Sequence, residues 1–363
     1  MSLTLRRGGS VAQLAYQGRI AHPGDPEAFS AALAARRFRT IENAASEEVS
    51  VGWCTPDDPT GDSFLAEHMD AGPATWLRMR VDSKKLPAEW LAVHRAAAEK
   101  AKGRPLNARE RRELKDDLTE KLLPRVLPKM GFVDALLFPE RKLVLLLSSS
   151  KGARETFDKL WFETFAVPLD VVGPLQMGGA AAEKLEPTRW PGGRAGDCAE
   201  PLGFLGQEFL TWLWYRCEIR SGGEFSLPGN RLVGVAIDDL LAFAAAADET
   251  AQTMRHGLPT RAPESRAALR TGHRLAKAKM LIAEGPRQWT VTVDGATMLL
   301  GSVKLPEDAE ECECAEDRTA DRAANWLALR AIVDGLFAEF MTFRAGPDWM
   351  KREAVAMAEW MAS

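Results

Sequence analysis

The chain has 363 residues, 46% hydrophobic and 27% charged, with 47 Lys and Arg against 51 Asp and Glu. That composition excludes a disordered, collagenous or disulfide-stapled chain and leaves room for two or three domains, each with its own core. No apolar run approaches the roughly 18–20 residues that span a bilayer. The N-terminal "MSLTLRRGGSVAQLAYQG" lacks a secretory h-region, and five cysteines at irregular spacing suit free thiols. These features set the expectation of a soluble cytoplasmic protein that does not engage a membrane.

In chain order, "PEAFSAALAARRF" reads as a helix and "TPDDPTGD" as a loop. "TWLRMRVD" then alternates as a strand does, and Pro87 opens a helix over "PAEWLAVHRAAAEKA". Asn107, with Glu110 three residues on, marks the start of a second helix that Pro124 ends. "FVDALLF" and "KLVLLL", joined by "PERK", read as a hairpin. A helix at "KGARETFDKLWFETF" and a short strand at "VPLDVV" complete a β-α-β-β-α-β order, expected as a ferredoxin-like α+β layer. The Gly/Pro/Ala-rich stretch 173–205 reads as a linker between an N-terminal domain, 1–172, and a C-terminal α+β domain, 206–363. In the latter come the apolar "FLTWLWYRCEI", a strand at "RLVGVAI", a basic segment, and a hairpin turning at Asp294-Gly295. An acidic loop, "PEDAEECECAED", leads into a long helix over about 319–343 and a last one ending at Trp360.

Charge is unevenly distributed. Residues 78–159 hold 20 basic and 12 acidic side chains, 255–288 hold eight and two, and 305–363 hold six and 13. "RAPESRAALRTGHRLAKAK", residues 261–279, carries six cations and one acid. On a helical wheel Arg266, Arg270, Arg274 and Lys277 share one face and Ala268, Gly272, Leu275, Ala278 and Ile282 the other, which predicts an amphipathic helix with a cationic outer face. Without interleaved Glu such a face repels itself, so an anionic partner is as good a reading as a solvated surface. Arg261 and Lys279 flank it, Arg255 and His256 precede it, and Lys84, Lys85, Arg125 and Lys129 stand at strand ends and in a Pro-bracketed turn. Lys and Arg in such numbers bind phosphate and read little sequence.

Catalytic signals are sparse. No phosphate-binding loop, dinucleotide fingerprint, zinc-protease helix or nucleophile elbow occurs, so no catalytic residue, metal ligand or cofactor is assigned. Cys312 and Cys314 lack the second pair that zinc needs. Asp238 and Asp239, placed at a strand end, offer carboxylates for a nuclease metal, but a surface turn accounts for them as well. Trp212 and Trp214 lie in a continuous apolar run and read as core rather than as base-stacking platforms.

"FRTIENAASEEVSVGW", ending in Gly52-Trp53, with "LRMRVDSKKLPAEWL", "RERRELKDDLTEKLLPR" and "FVDALLFPERKLVLLLSSSKGARE", resembles the recombination-associated protein RdgC family. Weaker similarity runs through "LTWLWYR", the basic helix and the "VDGA" hairpin to the acidic C-terminal region. The resemblance implies a ring-shaped homodimer that encircles double-stranded DNA without sequence preference, acts in recombination or replication at the nucleoid, and restrains a RecA-type recombinase. The sequence departs from the family at Leu127, where relatives carry an aromatic residue, and at Arg255-His256, in place of a basic-polar finger. Two other readings are a metal-dependent exonuclease and a protein-interaction module that uses the acidic C-terminal segment.

Overall fold

The continuous apolar run "KLVLLL" has no polar face to offer water, so it must be covered on both sides. The computed structural model covers it so; it describes residues 4–362 apart from 45, 47, 62, 189–202, 220–222 and 245–250. In chain order the N-terminal elements are β1 (Gly8–Tyr16), α1 (Pro26–Ala35), β2 (Glu48–Cys54), α2 (Ala66–Met69), β3 (Asp70–Ala71), β4 (Ala74–Lys84), α3 (Ala88–Lys102), α4 (Ala108–Leu122), β5 (Lys129–Phe138), β6 (Leu143–Leu146), α5 (Lys151–Phe165), β7 (Leu169–Val171) and α6 (Pro174–Ala182). Then follow α7 (Phe204–Ile219), β8 (Glu224–Leu227), β9 (Arg231–Ala244), β10 (Ala251–Arg255), α8 (Pro263–Arg270), β11 (Arg274–Glu284), β12 (Arg287–Asp294), β13 (Leu300–Lys304), α9 (Ala315–Arg344) and α10 (Ala354–Ala362).

The strands form one mixed-origin sheet in the order β10-β9-β11-β12-β13-β1-β6-β5-β4-β2, with β3, β7 and β8 as side pairings on β4, β1 and β9. Every pairing between these strands is antiparallel. β1 joins the two halves: Gly8, Gly9 and Val11 pair with β13, and Ala12–Ala15 pair with β6. The α+β class is as expected, but the layer is not ferredoxin-like. A split β-α-β unit inserts another strand between the two it connects, whereas β4 and β5 are direct antiparallel neighbours from Ser83↔Lys129 to Thr75↔Leu137. Of the stretch expected as a linker, 174–182 is the helix α6, and 189–202 lies outside the described residues.

Strand alternation sends β5 and β6 side chains into two cores. Leu136, Phe138 and Leu145 join Phe209, Trp212, Trp289, Trp326, Phe337 and Phe340 under α7 and α9. Ala135, Leu137, Val144 and Leu146 join Trp53, Phe157 and Trp161 under α1 and α5. Trp212 and Trp214 are fully buried, as read from the sequence. At Gly52 a Cβ would sit 2.5 Å from the backbone of Phe38, so only glycine lets that segment lie on β2. Next to it Trp53 fills the core and its Nε1 donates to Thr164 Oγ1 at 2.8 Å.

Candidate nucleic-acid interface

β4 places Arg78, Arg80, Asp82 and Lys84 on one face by alternation, and the structure buries them all. Arg78 Nε donates to Asp134 Oδ1 at 2.7 Å, and Arg80 binds Asp82 through two bonds of 2.9 and 2.7 Å. The carbonyls of Pro56 and Pro59 accept from Arg78 and Arg80, and Lys84 Nζ donates to the Glu42 carbonyl. Lys84 has no exposed surface, so it drops out of the candidate phosphate contacts. Lys85, one residue on, points the other way and is exposed.

Lys85 stands beside Lys129 because Ser83 and Lys129 are register partners. Arg125 sits in the short 3₁₀ turn Leu123–Arg125 that links α4 to β5. All three are exposed, and none has an ion pair among the described residues. They ring the foot of the α3–α4 helix pair, whose α3 has no buried residue. There Trp90 is 57% exposed and Val93 61%, and Leu127 beside Arg125 is 79% exposed. The turn between α3 and α4 is tied by Glu110, which receives Lys102 and Arg104 at 2.8 Å and closes a capping box with Asn107. These contacts, led by the Arg104 hydrogen bond, hold the Glu110 carboxyl down at about 2.

The basic stretch 261–279 is not one helix. α8 ends at Arg270, and β11 begins at Arg274. Gly272, with φ +93°, closes α8: its N–H reaches the Leu269 carbonyl at 3.1 Å, and the His273 N–H reaches that of Ala268 at 3.0 Å. This is a glycine-terminated Schellman turn. In β11 the register slips between Leu275 and Lys277, so Ala276 is an extra, bulged residue. The bulge spaces the buried Leu275, Ala278 and Ile282 by three and four, which imitates a helical period.

The four cations expected on one face are therefore dispersed. Arg266, in the helical layer, meets Glu218 at 2.6 Å and lies over the Trp360 ring. Arg270 Nη1 donates to the Ala362 carbonyl at 3.3 Å, and Arg274 Nε is buried without a hydrogen-bond partner among the described residues. Lys277 and Lys279 lie on the sheet's opposite, open face, where Lys277 meets Asp294 at 2.9 Å and Lys279 pairs with Asp239. Asp238 and Asp239 do not end a strand: they sit inside β9 at a second register slip, with Asp239 at φ +64°. Lys279, and then His256 at 3.5 Å, keep the Asp239 carboxyl below its usual range. Arg255 and Arg261 are exposed nearby, Arg255 on the edge strand β10 opposite Leu240. The sequence reading missed Lys304, which shares the open face through the Leu281↔Thr290↔Lys304 register; a bulge between Gly301 and Lys304 turns it away from the face of the buried Leu300, which simple alternation would not show.

Among the described residues no three His, Cys, Asp or Glu side chains converge as metal ligands, and no helix is long and apolar enough to cross a membrane. Cys314 caps α9, its Sγ accepting from the Asp317 N–H at 3.3 Å.

The chain is thus a mixed α/β protein whose single long antiparallel sheet carries two separate sets of exposed cations. Residues 13–190 match the family model described as "Putative exonuclease, RdgC", so the resemblance seen in the sequence is borne out over that stretch. A "Recombination-associated protein RdgC" of Xylella fastidiosa (strain 9a5c) is 36% identical over 89 residues, 23% of this chain and 30% of that protein. One of the same name from Pseudoalteromonas atlantica (strain T6c / ATCC BAA-1087) is 27% identical over 117 residues, 31% of this chain and 38% of the relative. The aligned stretches span less than two-fifths of these relatives. The family match contains Lys85, Arg125 and Lys129 and stops short of Arg255 and everything after it.

Proposed function

We propose that the chain binds double-stranded DNA without sequence preference, as a ring-forming homodimer in the nucleoid, and that it restrains RecA-type strand exchange rather than cutting DNA. The observation that carries the reading is the trio Lys85, Arg125 and Lys129, exposed together without acid partners inside the stretch that matches the RdgC family model. Such cations neutralise phosphates and leave base edges unread. The name of the relatives, recombination-associated, supports the process. The apolar surface of Trp90, Val93 and Leu127 supports a second copy, since none of the described residues buries it.

The test is an anisotropy titration of the purified chain on short duplexes of unrelated sequence across salt. Log affinity should fall linearly with log salt, alike for all sequences. An affinity indifferent to salt, or confined to one sequence, overturns the reading. The family description, "Putative exonuclease", motivates a second reading as an exonuclease; the carboxylates the sequence offers for a metal, Asp238 or Asp239, lie beyond the matched residues. Degradation of linear DNA with Mg²⁺ that is lost in Asp238→Asn would replace the first reading with this one.

A further inference from the structure

The loop between β13 and α9 walls a cavity of about 760 Å³ against the open sheet face. Its apolar lining comes from Leu281, Leu305 and Pro306, and its rim carries Glu307, Glu310 and Glu311. Deeper lies Asn325 of α9, 3% exposed. The Asn325 Nδ2 donates to the Asp321 carbonyl at 3.0 Å and to the Asp321 carboxylate at 3.2 Å. The Asn325 Oδ1 is buried and has no hydrogen-bond partner among the described residues. A buried amide oxygen left unpaired is costly, of order 1–3 kcal/mol, and invites a donor.

The cavity therefore presents acceptors: an orphan amide oxygen, the Asp321 carboxylate and the rim carboxylates of Glu310 and Glu311, while Glu307 pairs with Arg7 at 3.9 Å. Of the other loop carboxylates, Asp308 is taken by Arg322 through bonds of 2.7 and 2.5 Å, and Glu313 does not line the cavity. Of the two cations on the wall, Arg287 is held by Glu284, and Lys304 stands at the sheet side. A compact metal ion does not suit the site, because its carboxylates are spread along a loop rather than converging. A long side chain with an apolar stem and a donor-rich head does: the stem covers Leu281 and Leu305 while the head reaches Asn325.

We propose that this cavity docks a lysine- or arginine-rich segment of a partner protein, one cationic head meeting Asn325 and Asp321 and its neighbours meeting Glu310 and Glu311. The site is separate from the DNA reading, and its ligand has the opposite charge. The experiment uses the full chain and a labelled peptide of alternating Arg and Ala, followed by anisotropy, with duplex DNA affinity measured alongside. The peptide binds at low salt, and the Glu310→Gln/Glu311→Gln double variant weakens it about tenfold. Asn325→Leu weakens it comparably, while duplex affinity stays at the parent value in both. Should Asn325→Leu fail to fold, the double variant, altered only at exposed positions, decides. No peptide binding, parent-like binding in the variants, or full displacement by spermidine at equal charge overturns the proposal; the last outcome would make the site one for small polyamines.

Discussion

Lys84 and Lys85 are adjacent in sequence and should answer the same substitution in opposite ways. The triple variant Lys85→Gln/Arg125→Gln/Lys129→Gln removes three exposed cations and no hydrogen bond among the described residues. Each phosphate contact contributes about 0.9 to the salt slope, so the slope should shrink by about 2.7 on any duplex sequence. Stability should move by no more than about 0.5 kcal/mol per site. Lys84→Met takes away a fully buried ammonium that donates to the Glu42 carbonyl. It should cost about 1.5–3 kcal/mol, the worth of a hydrogen bond from a charged group, and leave the slope unchanged. Anisotropy across a salt series and urea unfolding of the same samples read both quantities. A triple variant that keeps the parent slope refutes the placement of DNA at the foot of the α3–α4 pair. A Lys84→Met protein as stable as the parent refutes the account of the buried strand face.

Three more outcomes follow from the packing and the charges. Gly52→Ala pushes a methyl into the Phe38 backbone and should cost about 1–3 kcal/mol in urea unfolding; an unchanged midpoint would mean that the Phe38 segment moves freely off β2. Arg344→Met strands Glu208, which is 2% exposed and bonded to Arg344 Nε at 2.6 Å, at a cost of about 3–5 kcal/mol. Adding Glu208→Gln should restore part of that, and a double variant worse than the single contradicts the pairing. Glu110 titrates below its unfolded value, so its tie to Lys102 and Arg104 is whole above about pH 4.5 and is lost as pH falls toward about 2. Amide protection in the α3–α4 turn, taken relative to the intrinsic exchange rate at each pH, should fall over that window in the parent and stay flat in Glu110→Gln; a parent whose protection is flat too removes Glu110 from the tie.

Much of this chain could be read locally. The Asn107–Glu110 capping box, the "PERK" hairpin, the apolar run of α7 and the long C-terminal helix each show in a pattern of neighbouring residues, and each forms where that pattern places it. The resemblance to the RdgC family also rests on the linear order of residues, and it holds over 13–190. The basic stretch shows the limit. Leu275, Ala278 and Ile282 satisfy a helical period and a bulged strand equally well, and only the backbone donors and acceptors of β9 and β12 select the strand. Gly272 was the one local sign that the helix ends before it. Exposure was decided at longer range still. Lys84 and Lys85 look alike in sequence, but the chain around Glu42 folds over one face of β4 and not the other. The strand order was likewise beyond local reading, because β1 meets β13 across nearly the whole length of the chain. Alternation and capping are nearest-neighbour physics that a sequence displays, whereas register, coverage and the partner of each charge are set by segments that meet only on folding.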